Sequence, residues 1–359
     1  SENIQMIVID SQWYLEDWND NPRINDNCEQ IKTREAMFLE VESEIKKNQN
    51  KTILIALHHP IYTNGVHGGQ YTFDRHIYPS QKKIPLPILG SLATLIRTTG
   101  GVSIQDAQNN RYKSLATRLS TIAQGSSRVI FASGHEHSLQ YIEHDSVKQI
   151  VSGSGSKASY ATLSNDGLFA YPGQGFAVLD VFTDGSSWVS FYGNQENKPK
   201  LLYQTEVLET PVPFELQDYP DEFPETYTTS IYTEEDTEKS PVHETVWGER
   251  YRELYGTEIT LRTADLDTLY GGLEVVREGG GHQTVSLRVK DRQGREYNIR
   301  RVRKDALRFL QSVAFKNQPV ENKLENTVAE NLLTDFYTAA HPFGFMAIPD
   351  LSEAAGVYH

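Results

Sequence analysis

Short, unbroken apolar runs alternate with polar stretches through the first part of the chain. Residues 4–9, 52–57 and 128–132 each hold four to six apolar or β-branched side chains in a row, too short for a helix, and predict strands buried on both faces. Between them the spacing changes. Ile31, Phe38, Leu39, Val41 and Ile45 recur at helical intervals across 29–47, and Leu115, Leu119 and Ile122 do so across 112–122. A further helix is expected at 89–98. Strands interleaved with helices predict an α/β fold. Beyond residue 140 the pattern turns to strands at 148–152, 175–182, 187–192 and 200–207, separated by Gly and Ser. Alternation in Phe176/Val178/Asp180 and Trp188/Ser190/Tyr192 predicts an antiparallel meander closing a second sheet.

Two stretches interrupt the pattern. Residues 61–105 are loop-rich, with Thr63-Asn64-Gly65, Pro79, Pro85 and Pro87 as punctuation. Residues 209–239 hold ten acidic side chains against one basic, with four prolines, a composition that suits a solvated connector. The expected domains are therefore 1–207, a linker at 208–240, and a smaller α+β domain at 241–359. In the last, strands are expected at 258–261, 273–277, 284–290 and 296–302, a hairpin turn at Asp291-Arg292-Gln293-Gly294, and a helix at 321–339.

Composition narrows the classes. A net charge of −14 over 359 residues argues against general nucleic-acid binding. No run of 18 apolar residues is present, so no transmembrane helix is expected. The single Cys28 forbids an intrachain disulfide.

The chemistry concentrates in histidines placed just past strand ends, where open α/β sheets hold ligands. Leu57-His58-His59-Pro60 follows one apolar run, and Ser133-Gly134-His135-Glu136-His137 follows another. His135 and His137, two apart in an extended segment, point to one side, with Glu136 opposite and outside the ligand set. Imidazole clusters suit zinc, iron, nickel or copper. Trp13, Tyr14 and Trp18 form either a substrate wall or packing over the sheet edge. Arg75 either faces solvent, the commoner outcome for an arginine in a loop, or holds a phosphate through its fork of donors, and the glycine-serine run 152–157 reads as a turn near the site.

These motifs, "LHHPIY", "GVHGG" and "SGHEHSLQ", resemble the later motifs of the calcineurin-like metallophosphoesterases, which include purple acid phosphatases. The resemblance runs over residues 4–200. It implies a sandwich of mixed β-sheets flanked by helices, with His58, His135 and His137 as metal ligands and His67 facing the substrate phosphate. It implies manganese, iron or zinc, two ions in a complete domain, and a phosphatase or phosphodiesterase reaction. Two such ions stand about 3.5–4 Å apart, polarise the phosphoryl group and activate a water.

The family's G-D-x-x-D and G-N-H-D/E motifs do not occur here, and no D-x-H stands ahead of the first strand, where the family carries it. The expectation is thus the carboxyl-terminal half of such a domain, completed by a missing amino-terminal half or a second chain, and inactive alone. Two other readings stand beside it: a non-catalytic interaction protein that keeps the scaffold, and a single-metal protein with a three-histidine site. Proteins that resemble the chain throughout are large bacterial envelope proteins with a phosphoesterase region ahead of a membrane barrel. That resemblance implies a periplasmic or outer-membrane-associated location.

Overall fold

The computed structural model describes residues 3–29, 31–80, 84–212, 222–249, 251–279, 283–318, 323–324, 327–338 and 340–357. The chain forms two compact units, Ser1–Phe214 and Glu215–His359.

The first unit is α/β. Strands β1 (Ile4–Ile9), β2 (Thr52–Leu57), β3 (Val129–Ser133), β4 (Leu139–His144), β5 (Val147–Ser152) and β6 (Gly167–Tyr171) form one mixed sheet in the order β1-β2-β3-β5-β4-β6. The first four in that order run parallel, and β4 runs antiparallel to both of its neighbours. Five helices lie along this part of the chain: α1 (Ser11–Leu15), α2 (Arg34–Lys47), α3 (Phe73–Ile77), α4 (Pro87–Thr99) and α5 (Asn110–Ala123). Thr33 and Asn109 cap α2 and α5 by accepting the N–H groups of Ala36 and Arg111.

Strand β2 is apolar throughout because both of its faces are covered. Ile53 and Ile55 pack with Phe38, Val41, Ile45, Leu115 and Leu119 from α2 and α5. On the other side a second, antiparallel sheet of β7 (Gly175–Val181), β8 (Ser187–Gln195) and β9 (Lys198–Leu208) lays Val189, Phe191, Val207 and Leu208 against Ile130, Leu139, Tyr141 and Ile150. Each such buried side chain contributes about 1.5–3 kcal/mol. β1 closes one edge of the mixed sheet, pairing with β2, and its outward Val8 is 75% exposed. Because β1, β2 and β3 are parallel, their carboxyl ends meet at one edge, where Asp10, His58 and Gly134 follow.

Two strands escaped the apolar pattern. In β4, Gln140 is buried among apolar neighbours because its Oε1 accepts the Asn64 N–H at 2.7 Å. β6 begins on a glycine directly after Asn165 and Asp166, both at positive φ.

In the second unit β12 (Leu273–Glu278), β13 (Ser286–Asp291) and β14 (Glu296–Arg300) form an antiparallel meander, while β10 (Thr226–Thr229) pairs with β11 (Ile259–Arg262). The Asp291–Gly294 turn holds because the Asp291 carboxylate accepts the N–H groups of Gln293 and Arg295, with Gly294 at φ 81°. The segment expected as a bare connector carries β10 and the short helix Glu234–Thr237. The helix expected at 321–339 spans Val328–Tyr337, and residues 319–322, 325–326 and 339 lie outside the described residues. Asp335 on that helix meets Arg252 at 2.9 Å. No helix among the described residues is long and apolar enough to cross a membrane.

Candidate metal centre

The two histidine turns are fastened to each other by backbone. The Gly134 N–H donates to the His58 carbonyl at 3.2 Å, and the Tyr112 hydroxyl donates to the Pro60 carbonyl at 2.6 Å. The segment after β3 is not extended, which corrects the sequence expectation. His135 sits at φ 62°, a left-handed conformation that a non-glycine residue adopts at a cost. That turn carries its ring back toward β2 and separates it from His137.

His58, His59 and His135 thereby form a group in which one nitrogen from each ring lies within 4.8 Å of the others, and which could hold a metal ion. The closest approach is His58 Nε2 to His135 Nδ1, 3.2 Å. Two imidazole nitrogens bound at about 2.0–2.1 Å to one ion at a near-tetrahedral angle stand about 3.3 Å apart, so this gap fits one ion.

Hydrogen bonding assigns the tautomers. The Gln105 carbonyl, 2.8 Å from His135 Nε2, can only accept, so Nε2 carries the proton and Nδ1 keeps its lone pair toward His58. His59 is buried, with Nδ1 against Ser11 Oγ at 2.9 Å and Nε2 against Gln105 Oε1 at 2.8 Å. Both of its nitrogens are therefore committed to protein, and His59 acts as a support beneath the other two rings. Burial, with the charges of His67, His59 and His58, pushes His135 down to about 3 against the weaker pull of its bond to Gln105. A neutral imidazole is the form that binds metal, so His135 stays competent far into the acid range.

His67 comes from the short turn Val66–Gly68. Its Nδ1 lies 2.8 Å from Asp106 Oδ1, and its ring packs on His135 at 4.1 Å between centroids. Asp106 is buried and also takes two bonds from Arg97, at 3.0 and 2.6 Å. Burial raises the Asp106 pKa, but the hydrogen bonds and charges of His67 and Arg97 outweigh it and hold the carboxyl below its ordinary range. Donation from Nδ1 to Asp106 leaves Nε2 as the remaining polar atom of His67.

Glu136 is a clamp rather than a ligand. Buried, it accepts the N–H groups of His67 (2.7 Å) and Gly68 (3.2 Å) and the Thr63 hydroxyl (3.0 Å). The approach is so close that a Cβ on Gly65 would stand 2.4 Å from the Glu136 carboxyl carbon, which is why the loop carries glycine there.

Beside the histidine group lies a cavity of about 360 Å³, lined by His67, His135, His137, Arg75, Tyr71 and Tyr160 among others. Of the expected ligands, His58 and His135 are brought together. His137 lines the cavity without joining their group, and burial and the Lys157 charge lower its pKa. His59 takes the third position in the group, and the group holds no carboxylate among the described residues. The aromatic loop packs instead of walling a substrate: Arg34 stacks over Trp18 at 4.0 Å, and Tyr14 is buried against Phe38. The 152–157 turn is likewise structural, since a Cβ on Gly153 would meet the Glu136 carbonyl oxygen at 2.1 Å. Sequence reading missed Ser11, Arg97, Gln105 and Asp106, polar residues in loop or helix text with no motif around them.

No family model matches the chain, and no curated protein does. Among solved structures, it is similar to "GAP50 the anchor in the inner membrane complex of Plasmodium", at 16% identity and a TM-score of 0.36. The match covers 56% of this chain and spans 48% of the length of that one.

Proposed function

We propose that residues 1–207 belong to a domain of the calcineurin-like metallophosphoesterase type and that the cavity takes a phosphoric ester. The observation that carries this reading is the 3.2 Å separation of His58 Nε2 and His135 Nδ1 beside a cavity lined by His67 and Arg75. His58 and His135 are the residues that would hold the ion. When bound, such an ion polarises a phosphoryl oxygen and lowers the pKa of a coordinated water. Arg75 offers a fork of donors to two phosphate oxygens. His67, oriented by Asp106, turns Nε2 to the leaving oxygen, and as the imidazolium with both nitrogens protonated it would give the Nε2 proton to that oxygen as the ester bond breaks, leaving the neutral ring bonded through Nδ1–H to Asp106. Arg97 holds Asp106 ionised and so fixes the orientation of His67. Among the described residues the group holds no carboxylate to offset the charge of a second ion, so it does not fit the expected pair.

The test is calorimetric titration of the metal-free protein with manganese, zinc and ferrous iron, followed by assay with an aryl phosphate monoester and a diester. One ion per chain is expected, with binding lost in His135→Ala. No binding, or binding indifferent to that substitution, rejects the site.

A second reading, a scaffold without catalysis, draws on the protein partners that already satisfy the nitrogens of His59 and one of those of His135. Stoichiometric metal without turnover of either ester would favour it.

A further inference from the structure

A second cavity, of about 280 Å³, lies wholly within the Glu215–His359 unit. Its volume is near the lower end of the roughly 300–1,000 Å³ range of small-molecule sites. Most of its wall is apolar: Ile259 and Leu261 of β11, Ile231 just past β10, and Phe343 and Phe345 from the carboxyl-terminal stretch. The wall is open to solvent, with Phe345 42% exposed.

The charges in that wall are of one sign. Arg301 and Arg303 line the cavity, and no carboxylate does so among the described residues. In a chain of net charge −14, the run Arg300-Arg301-Val302-Arg303-Lys304 holds four cations and no acid. Among the described residues neither of the two guanidiniums meets a carboxylate or donates a hydrogen bond; Arg303 stacks over the buried Tyr232 ring at 4.7 Å instead. Asp236 and Asp305, whose charges act on Tyr232, are committed to helix starts. Asp236 accepts the Thr233 N–H at 3.3 Å and Asp305 the Arg308 N–H at 2.9 Å.

The walls are also held in place. The Arg301 N–H donates to the Val285 carbonyl at 2.9 Å and the Asp305 N–H to the Gln283 carbonyl at 2.7 Å, which fastens the arginine segment at both ends. Tyr232 packs on Tyr255, and the Tyr255 hydroxyl lies 2.9 Å from the Tyr337 carbonyl and 3.0 Å from that of Ala340. The chain leading to Phe343 is thereby tied to the tyrosine that carries Arg303.

A neutral hydrocarbon in this cavity would leave both guanidiniums desolvated and unpaired. A small hydrophilic anion would leave the apolar wall to water. A ligand that answers both has an apolar body and one anionic end, and the planar fork of arginine matches a carboxylate. We propose that this cavity binds an amphipathic carboxylate, its apolar body against Ile259, Leu261 and Phe345 and its anionic end on Arg301 and Arg303. The site is independent of any metal or turnover at the histidine group.

The experiment is calorimetric titration of the full chain with monomeric octanoate, set beside 1-octanol, which lacks the charge, and acetate, which lacks the body. One octanoate per chain is expected, bound more weakly as salt rises. Both controls should bind at least ~10-fold more weakly than octanoate. Arg301→Gln, at a side chain without a partner among the described residues, should weaken octanoate about tenfold and leave 1-octanol unchanged. Phe345→Ser should weaken octanoate as well. Circular dichroism checks that both variants fold, and should one not, the other decides. Absence of saturable octanoate binding overturns the proposal. So does octanoate held as tightly by the variants, which places it on another apolar face, or 1-octanol held as tightly as octanoate, which makes the arginines bystanders. A dimer in sedimentation that Arg301→Gln dissociates, without octanoate binding, overturns it in favour of a second copy.

Discussion

His135 combines a left-handed backbone with a neutral, half-buried ring, and both properties are measurable. In the unfolded chain its imidazole takes up a proton near its ordinary value of 6.5, whereas in the folded chain it stays neutral down to about 3. The unfolded state therefore binds more protons between those limits, and stability must fall as pH drops from about 6.5 toward 3. The urea midpoint of metal-free protein should decline over that range, and less steeply in His135→Asn, a residue that tolerates positive φ. An identical slope in the variant would show that His135 does not titrate as described. At this scale the sequence revealed the strand-end histidines, because the motif text and the apolar run before each are local. It did not reveal Asp106, Gln105 or Ser11, which reach their histidines from 39, 46 and 48 residues away. Nothing local marks a residue whose role is to meet a ring that distant.

Among elements, the most legible strands are β2 and β3, covered on both faces, and the edge strand β1, which keeps an apolar run although its Met6 and Val8 are exposed. β4 was hidden because a buried glutamine breaks its pattern and is compensated by a loop N–H. Helix α4 was legible as a helix but not in its orientation, because its Ile88, Leu92, Leu95 and Ile96 face solvent whereas an apolar stripe ordinarily points inward. Its seat on α3 depends on Gly90, where a Cβ would stand 2.2 Å from the His76 carbonyl oxygen. Gly90→Val must displace the His76 carbonyl or the helix itself, and is expected to cost about 1–3 kcal/mol. Ser91→Val, on the exposed side, serves as the control. Equal thermal melting of the two variants would mean that α4 is not held by this contact.

For the whole molecule, the division into Ser1–Phe214 and Glu215–His359 predicts that proteolysis cuts first between the units, near residues 209–225, and leaves a folded fragment of about 210 residues. First cleavage within residues 61–86, or a fragment without secondary structure in circular dichroism, would count against two independent cores. The α/β class and the meander of the second unit were readable from periodicity, but the pairing of β10 with β11 was not, since Thr226–Thr229 lies in acidic, proline-rich text. Strand order also sets a schedule for synthesis. β1 pairs with β2, and β2 with β3, so each strand waits for one made later. His58 leaves the ribosome 77 residues ahead of His135. At about 5–20 residues per second that is about 4–15 s during which one half of the histidine pair stands without the other. An ion held by both rings, as proposed for this site, could be bound only after β3 has emerged and not while β2 alone is out.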